Sequence, residues 1–262
     1  MGRHLERYLA GECQPVWDEL LAQGAAIREE PLASEALAVA RETMRRVRHN
    51  IELLIPRLRT LGYRFGKAQR VSNQMVIVDP ARLDEFIEDY LAEYPIFQPP
   101  PPDTARTLDE LEQRVGLLPL SLRAFYLEIG GVNFTGLHPW VPRALDYDPL
   151  FIFPLADLLE DVEAWSLNED SSEPEEARDT DLWLSPDAPH KFNESGADPY
   201  FMRVPNASID GIFHDGYHDV TFVEYLRLGF RSGGLTDLEQ EEQLMKDVGE
   251  ALAYLRQDLL PI

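Results

Sequence analysis

Cysteine is almost missing. Cys13 is the one thiol in 262 residues, so no intrachain disulfide can form and a reducing compartment is expected. Long apolar runs are missing as well. The strongest, "PLFIFPLADLL", falls far short of the roughly 20 residues a membrane-spanning helix needs. The opening "MGRHLERYLAGE" is too polar for a signal peptide, and Glu6 stands where a myristoylation motif wants Ser or Thr. A soluble, cytoplasmic protein without a membrane partner is the expectation. Phosphate loops are absent in both the Gly-x-x-x-x-Gly-Lys-Ser/Thr and the Gly-x-Gly-x-x-Gly form. Ser195 lies in "NESGAD", not in a Gly-x-Ser-x-Gly elbow, and Cys13 carries no signature of a catalytic thiol. No catalytic residue, cofactor or metal is therefore assigned.

Positive charge is scarce where it would matter for nucleic acid. Net charge is −23, and residues 1–100 hold 13 Lys and Arg against 15 Asp and Glu, while residues 101–262 hold 11 against 32. Phosphates would be repelled by that second part, which excludes nucleic acid as a partner. A basic protein would be steered to it. A plain solubility surface explains the same charge more simply.

What is present is a core, since 44% of residues are apolar, and clear punctuation. Four prolines at 99–102 form a stiff, extended spacer. They divide the chain into a mainly helical region (1–98), a proline linker (99–103), a second domain (104–235) and a C-terminal helix (236–262). Upstream, Leu37, Ala40, Met44, Val47, Ile51, Leu54, Leu58 and Leu61 alternate spacings of three and four. That seam fits packing inside one chain or, more sharply, a homodimer coil. Pro56 should kink the helix and Gly62 end it. Arg41, Arg45 and Arg48 share a helical face, either solvated or meeting the acidic second part. A strand is expected at 74–78, then an amphipathic helix carrying Leu83, Phe86, Ile87, Tyr90 and Leu91.

Downstream, Thr107 and Glu110 have capping-box spacing. In "GLLPLSLRAFYLEIGGVNF" Pro119 opens a short helix, Leu122, Phe125 and Ile129 bury it, and Gly130-Gly131 close it. "PLFIFP", "LWLSPD", "HKFN" and "YFMRVP" read as short strands. Thr221 with Glu224, and Thr236 with Glu239, cap two later helices, the last carrying Leu244, Val248, Leu252, Leu255 and Leu259. Helices, then strands, then helices make an α+β fold with a mostly antiparallel sheet.

Two stretches could carry function. In "GIFHDGYHDV", His214 and His218 are four apart beside Asp215 and Asp219. A metal-dependent hydrolase could use such a pair on a helix, but Gly216 argues for a surface turn. The run from Asp157 to Asp181 holds eleven acidic residues and one Arg. Its candidate partner-binding residues are Asp157, Glu160, Asp161, Glu163, Trp165, Glu169 and Asp170, with Trp165 as an aromatic anchor among carboxylates. The plainer alternative is an amphipathic helix with a solvated acidic face.

The segment "TLDELEQRVGLLPLSLRAFYLEIGGVNFTG" resembles the N-terminal signature of the SUKH superfamily, a helix, a "G-x-LP" step, a second helix and a glycine stop. "DPLFIFPL" and "TFVEYLRLGFRSGG" are similar to its later elements. The likeness spans about 104–235, and "LTDLE" then stands where the family tends to have Phe-Pro. The resemblance implies a twisted sheet with helices packed around it. It also implies a non-enzymatic protein-binding module, of a superfamily that includes immunity proteins against toxins and fungal cell-wall synthesis regulators. A basic, nuclease-type toxin would suit the acidic domain. A regulatory scaffold, dimeric through the N-terminal helices, is the alternative.

Overall fold

The computed structural model describes residues 2–67, 83–137, 147–168, 180–192, 196, 198–215, 219–242 and 245–262, with backbone alone at 83, 165–168 and 241. The chain begins with α1 (Arg3–Leu9), α2 (Cys13–Leu21), a 3-10 turn at Gly24–Arg28 and α3 (Leu32–Thr60). Next come β1 (Arg64–Phe65), α4 (Leu83–Glu93), β2 (Phe97–Gln98), α5 (Thr104–Val115), α6 (Leu120–Glu128), β3 (Gly131–Asn133) and β4 (Gly136–Leu137). Then follow β5 (Asp148–Pro149), β6 (Phe151–Ile152), α7 (Leu155–Asn168), β7 (Thr180–Ser185), α8 (Ala188–Lys191), β8 (Tyr200–Val204), β9 (Ile212–His214) and β10 (Val220–Thr221). The last elements are α9 (Phe222–Arg231), β11 (Leu235–Thr236), a 3-10 turn at Leu238–Glu241 and α10 (Lys246–Leu255). The fold is α+β, and every described strand pairing is antiparallel.

The seam of α3 is consumed inside the chain. Ala40, Met44, Val47, Ile51, Leu54 and Leu58 are fully buried, and α3 packs against α6, α1 and α10. That is the intrachain alternative, and it leaves no seam free for a coiled coil. Pro56 lies within the helix, which continues to Thr60. Gly62, just past the C-cap, adopts a positive φ of 81° as the helix stop requires. Upstream and downstream residues contribute to one hydrophobic cluster running through Tyr8, Trp17, Ile51, Phe125, Phe134, Phe213 and Leu252. Arg28 ties the first 3-10 turn to the later chain by donating from Nε to the Ala207 carbonyl at 2.9 Å.

Strands from both sides of the prolines share sheets. The order β2-β3-β6 places Phe97 against Val132 and Val132 against Ile152, and β1 pairs with β4. The larger sheet has order β10-β9-β8-β7, with Leu182 opposite Met202 and Met202 opposite Phe213 on its buried face. The Phe153 amide donates to the Leu184 carbonyl at 2.8 Å and joins the two sheets. β11 pairs with β5, Thr236 facing Asp148.

α6 explains its own punctuation. Pro119 caps it at φ −54°, ψ 146°, and the free amides of Leu120 and Ser121 donate to the carbonyls of Ser208 (3.2 Å) and Ile209 (2.8 Å). Beyond Glu128, Gly130 turns at φ +92°, where a Cβ would strike the backbone of Gln98 and Pro100. The buried Asp210 carboxylate accepts from Ser121 Oγ at 2.7 Å and from the Gly211 and Val223 amides at 3.1 Å. It thus links the starts of α6 and α9. Burial pushes its pKa up to about 6 in spite of those bonds.

Several local expectations are corrected. In "HKFN", His190 and Lys191 are helical and Phe192 is a turn, not strand, because Asp187 caps a helix by accepting the His190 amide and Pro189 suits its first turn; Asn193 lies outside the described residues. Thr107 is not a cap. α5 already begins at Thr104, and the Thr107 hydroxyl donates to the Asp103 carbonyl at 3.3 Å. Thr236 lies in β11, and the last helix starts only at Lys246. Thr221 does cap α9, accepting the Glu224 amide at 3.4 Å. The strand expected at 74–78 and the side chain of Leu83 lie outside the described residues, as does Leu244.

Candidate functional site

α7 starts immediately after Pro154, whose carbonyl accepts the Asp157 amide at 3.1 Å. Leu155, Leu158 and Val162 recur at helical spacing and are buried, so the helix lies on β7 and beside α5. Its remaining side chains must point outward, and four of them are the predicted Asp157, Glu160, Asp161 and Glu163. The structure therefore puts Asp157, Glu160 and Asp161 on one side of α7, within about 100° of helical arc, and turns Glu163 toward Arg114 of α5. Trp165 falls in the last turns of α7 with its side chain outside the described residues, and Glu169 and Asp170 lie outside them entirely.

The four carboxylates are not equivalent. Glu163 pairs with Arg114 of α5 at 2.9 Å. Asp157, Glu160 and Asp161 make no ion pair among the described residues. Asp157 is half-buried, and burial, followed by Glu160, Asp161 and Glu93, pushes its pKa up to about 6. Burial and then Glu160 also raise Asp161. Like charges that add to burial in disfavouring the ionised Asp157 and Asp161 are a cost in the free protein, relieved by a cation.

A groove runs beside this edge. Its smaller part is lined by Glu93, Tyr94, Val132, Asn133, Phe151 and Pro154. The larger part, about 270 Å³, is lined chiefly by Pro99, Pro101, Tyr126, Pro154, Leu155 and Leu159, with Gln98, Asp103 and Thr107 among the polar walls. Gln98 and Pro154 belong to both parts. The proline spacer is thus one wall and the first turn of α7 the other. The sequence pointed to the carboxylates but not to the groove, which requires residues 98–107 and 154–159 to meet.

The histidine pair takes another form. His214 ends β9, stacks on Phe201 with ring centroids 4.8 Å apart, and lies 3.2 Å from Asp219. His218 is outside the described residues. Among the described residues no three His, Cys, Asp or Glu side chains converge as a metal site.

One buried pair escaped the sequence. Lys191 is fully enclosed, its Nζ 2.6 Å from Asp148 Oδ1 and 4.8 Å from the centre of the Tyr200 ring. Burial lowers the pKa of Lys191 and raises that of Asp148, with the attraction between them opposing both shifts. A lysine with a lowered pKa can be a nucleophile. This one has no exposed surface and is neutralised by its partner, so the pair pins α8 to β5.

Among the described residues no helix is long and apolar enough to cross a membrane. Comparison with known proteins returned no match, whether to family models, curated proteins or solved structures.

Proposed function

We propose that the chain is a non-enzymatic protein-binding module of the SUKH type, capturing a basic protein through the outer edge of α7. Immunity against a basic, nuclease-type toxin fits this reading best, and nucleic acid is excluded from the same edge by its charge. The observation that carries the proposal is the crowding of Asp157, Glu160 and Asp161 on α7, which make no ion pair among the described residues, with Glu93 adding to the charge near the half-buried Asp157. A solvated face needs no such crowding, whereas a basic partner converts the repulsion into attraction. Retention of native-lysate proteins on the immobilised chain at low and at high salt tests it. A protein retained at low salt and released by salt is expected, with loss of retention in Glu160→Lys. Failure to retain any protein at low salt overturns the reading.

A further inference from the structure

The groove beside α7 has walls of proline, leucine and tyrosine but a charge imbalance at one end. At the spacer end Asp103 is taken by Arg106 at 2.9 Å. At the α7 end, Ala156 and Leu159 line the groove. Glu160 is exposed and follows Ala156 by one helical turn on the same face of α7. Asp157 is close enough to the lining of the smaller part for Glu93 to add to the burial that raises its own pKa, and for it to add to the burial that raises that of Tyr94. Apolar walls thus lead to carboxylates without a counter-charge among the described residues.

The volume, about 270 Å³, is below the range of pockets that enclose a drug-sized ligand, roughly 300–1,000 Å³. It suits a side chain instead. An occupant complementary to both features has an apolar stem and a cationic head. Arginine matches better than lysine, because its planar, weakly hydrated guanidinium packs on flat apolar and aromatic surfaces and takes carboxylates in a two-pronged fashion. Tyr126 is fully buried behind this wall and does not compete for the head, since its hydroxyl is committed to the Phe153 carbonyl at 3.2 Å.

We infer that the groove between the proline spacer and α7 receives an arginine side chain of the basic partner, its stem against Pro99, Pro101 and Leu159 and its guanidinium toward Glu160 and Asp157. This rests on the protein-capture reading and names the group recognised there.

Calorimetric titration of the full chain at low salt with hexa-arginine, hexa-lysine and hexa-citrulline tests it. Hexa-arginine should bind at least tenfold more tightly than hexa-lysine, and hexa-citrulline should not bind. Ala156→Trp, which fills the groove without changing charge, should weaken hexa-arginine at least tenfold. Thr107→Trp fills it from the opposite wall and serves if Ala156→Trp unfolds. Equal binding of arginine and lysine, or full binding by a folded filled variant, overturns the inference. If Glu160→Gln still weakens both peptides in that case, the acidic edge captures basic partners without an arginine pocket and the protein-capture reading stands. Absence of any peptide binding also overturns the inference, and the lysate experiment then decides the broader reading separately.

Discussion

Arg41 Nε lies 2.5 Å from Glu128 Oε1, and the two residues come from opposite sides of the four prolines. Arg45 approaches the other carboxylate oxygen at 3.5 Å, and Arg48 donates to the Glu128 backbone carbonyl at 3.3 Å. The arginine face of α3 therefore closes on the end of α6. Glu128 keeps 14% of its side chain exposed while Arg41 keeps 43%, so this is a half-solvated cluster rather than a buried one. Glu128→Gln would leave Arg41 without an ion pair among the described residues, while Arg45 keeps Glu42 at 3.6 Å and Arg48 keeps Glu52 at 2.8 Å. A loss of about 1–2 kcal/mol is expected, below the upper range for charged hydrogen bonds because of solvent screening. Urea unfolding at low and high salt measures it, and the loss should shrink as salt rises.

Further along α3 the contact is apolar. Leu54 is fully buried on the α3 seam, so Leu54→Ala should cost about 2–5 kcal/mol through lost burial and the cavity left behind. Because the seam packs on α6 and α10 of the same chain, its unfolding midpoint should not depend on protein concentration. A midpoint that rises with concentration would assign the seam to a dimer instead.

Lys191 and Asp148 are 43 positions apart in sequence and 2.6 Å apart in space. Lys191→Met leaves the Asp148 carboxylate buried beside Asp215 and Asp237, both of which already raise its pKa. A loss of about 3–5 kcal/mol is expected. Lys191→Met with Asp148→Leu removes the stranded charge and should recover most of it. Thermal unfolding of the single and double variants decides this. A double variant no better than the single one would mean that the polar pair itself, not the stranded carboxylate, holds α8 to β5.

The parts of the fold legible in the sequence are those governed by local chemistry. Pro119 and Gly130 bracket α6 because one opens a helical turn and the other adopts a φ that side chains resist. The α3 seam was legible through its period, but not its partner, since spacing cannot say which apolar face it meets. "HKFN" misled because the helix-starting Asp187 and Pro189 lie just outside or at the edge of the quoted stretch. Thr236 carries a capping pattern, but its pairing with Asp148 in a sheet overrides it. At the candidate site the carboxylates of α7 were visible as composition. The groove was not, because it depends on tertiary contact between the proline spacer and α7.

The half-buried Asp157 couples stability to binding. Its pKa is raised to about 6, above the unfolded value of 3.8. The folded state therefore binds this proton more tightly than the unfolded chain does. The stabilising contribution is fully present below about pH 3.8 and is lost as pH rises through about 6, where the ionised carboxylate is a penalty. Asp157→Asn removes that penalty, so it should raise the unfolding temperature at pH 7.5 and leave it nearly unchanged at pH 4. The basic partner needs the same charge. Its affinity for the native chain should fall as pH drops below 6, and Asp157→Asn should weaken binding at pH 7.5 and flatten the pH profile. Paired thermal-unfolding and binding measurements at pH 4, 6 and 7.5 test both halves. A variant that is stabilised but binds unchanged would place the partner away from α7, whereas one that is destabilised at pH 7.5 would mean that hydrogen bonding, not repulsion, dominates at Asp157.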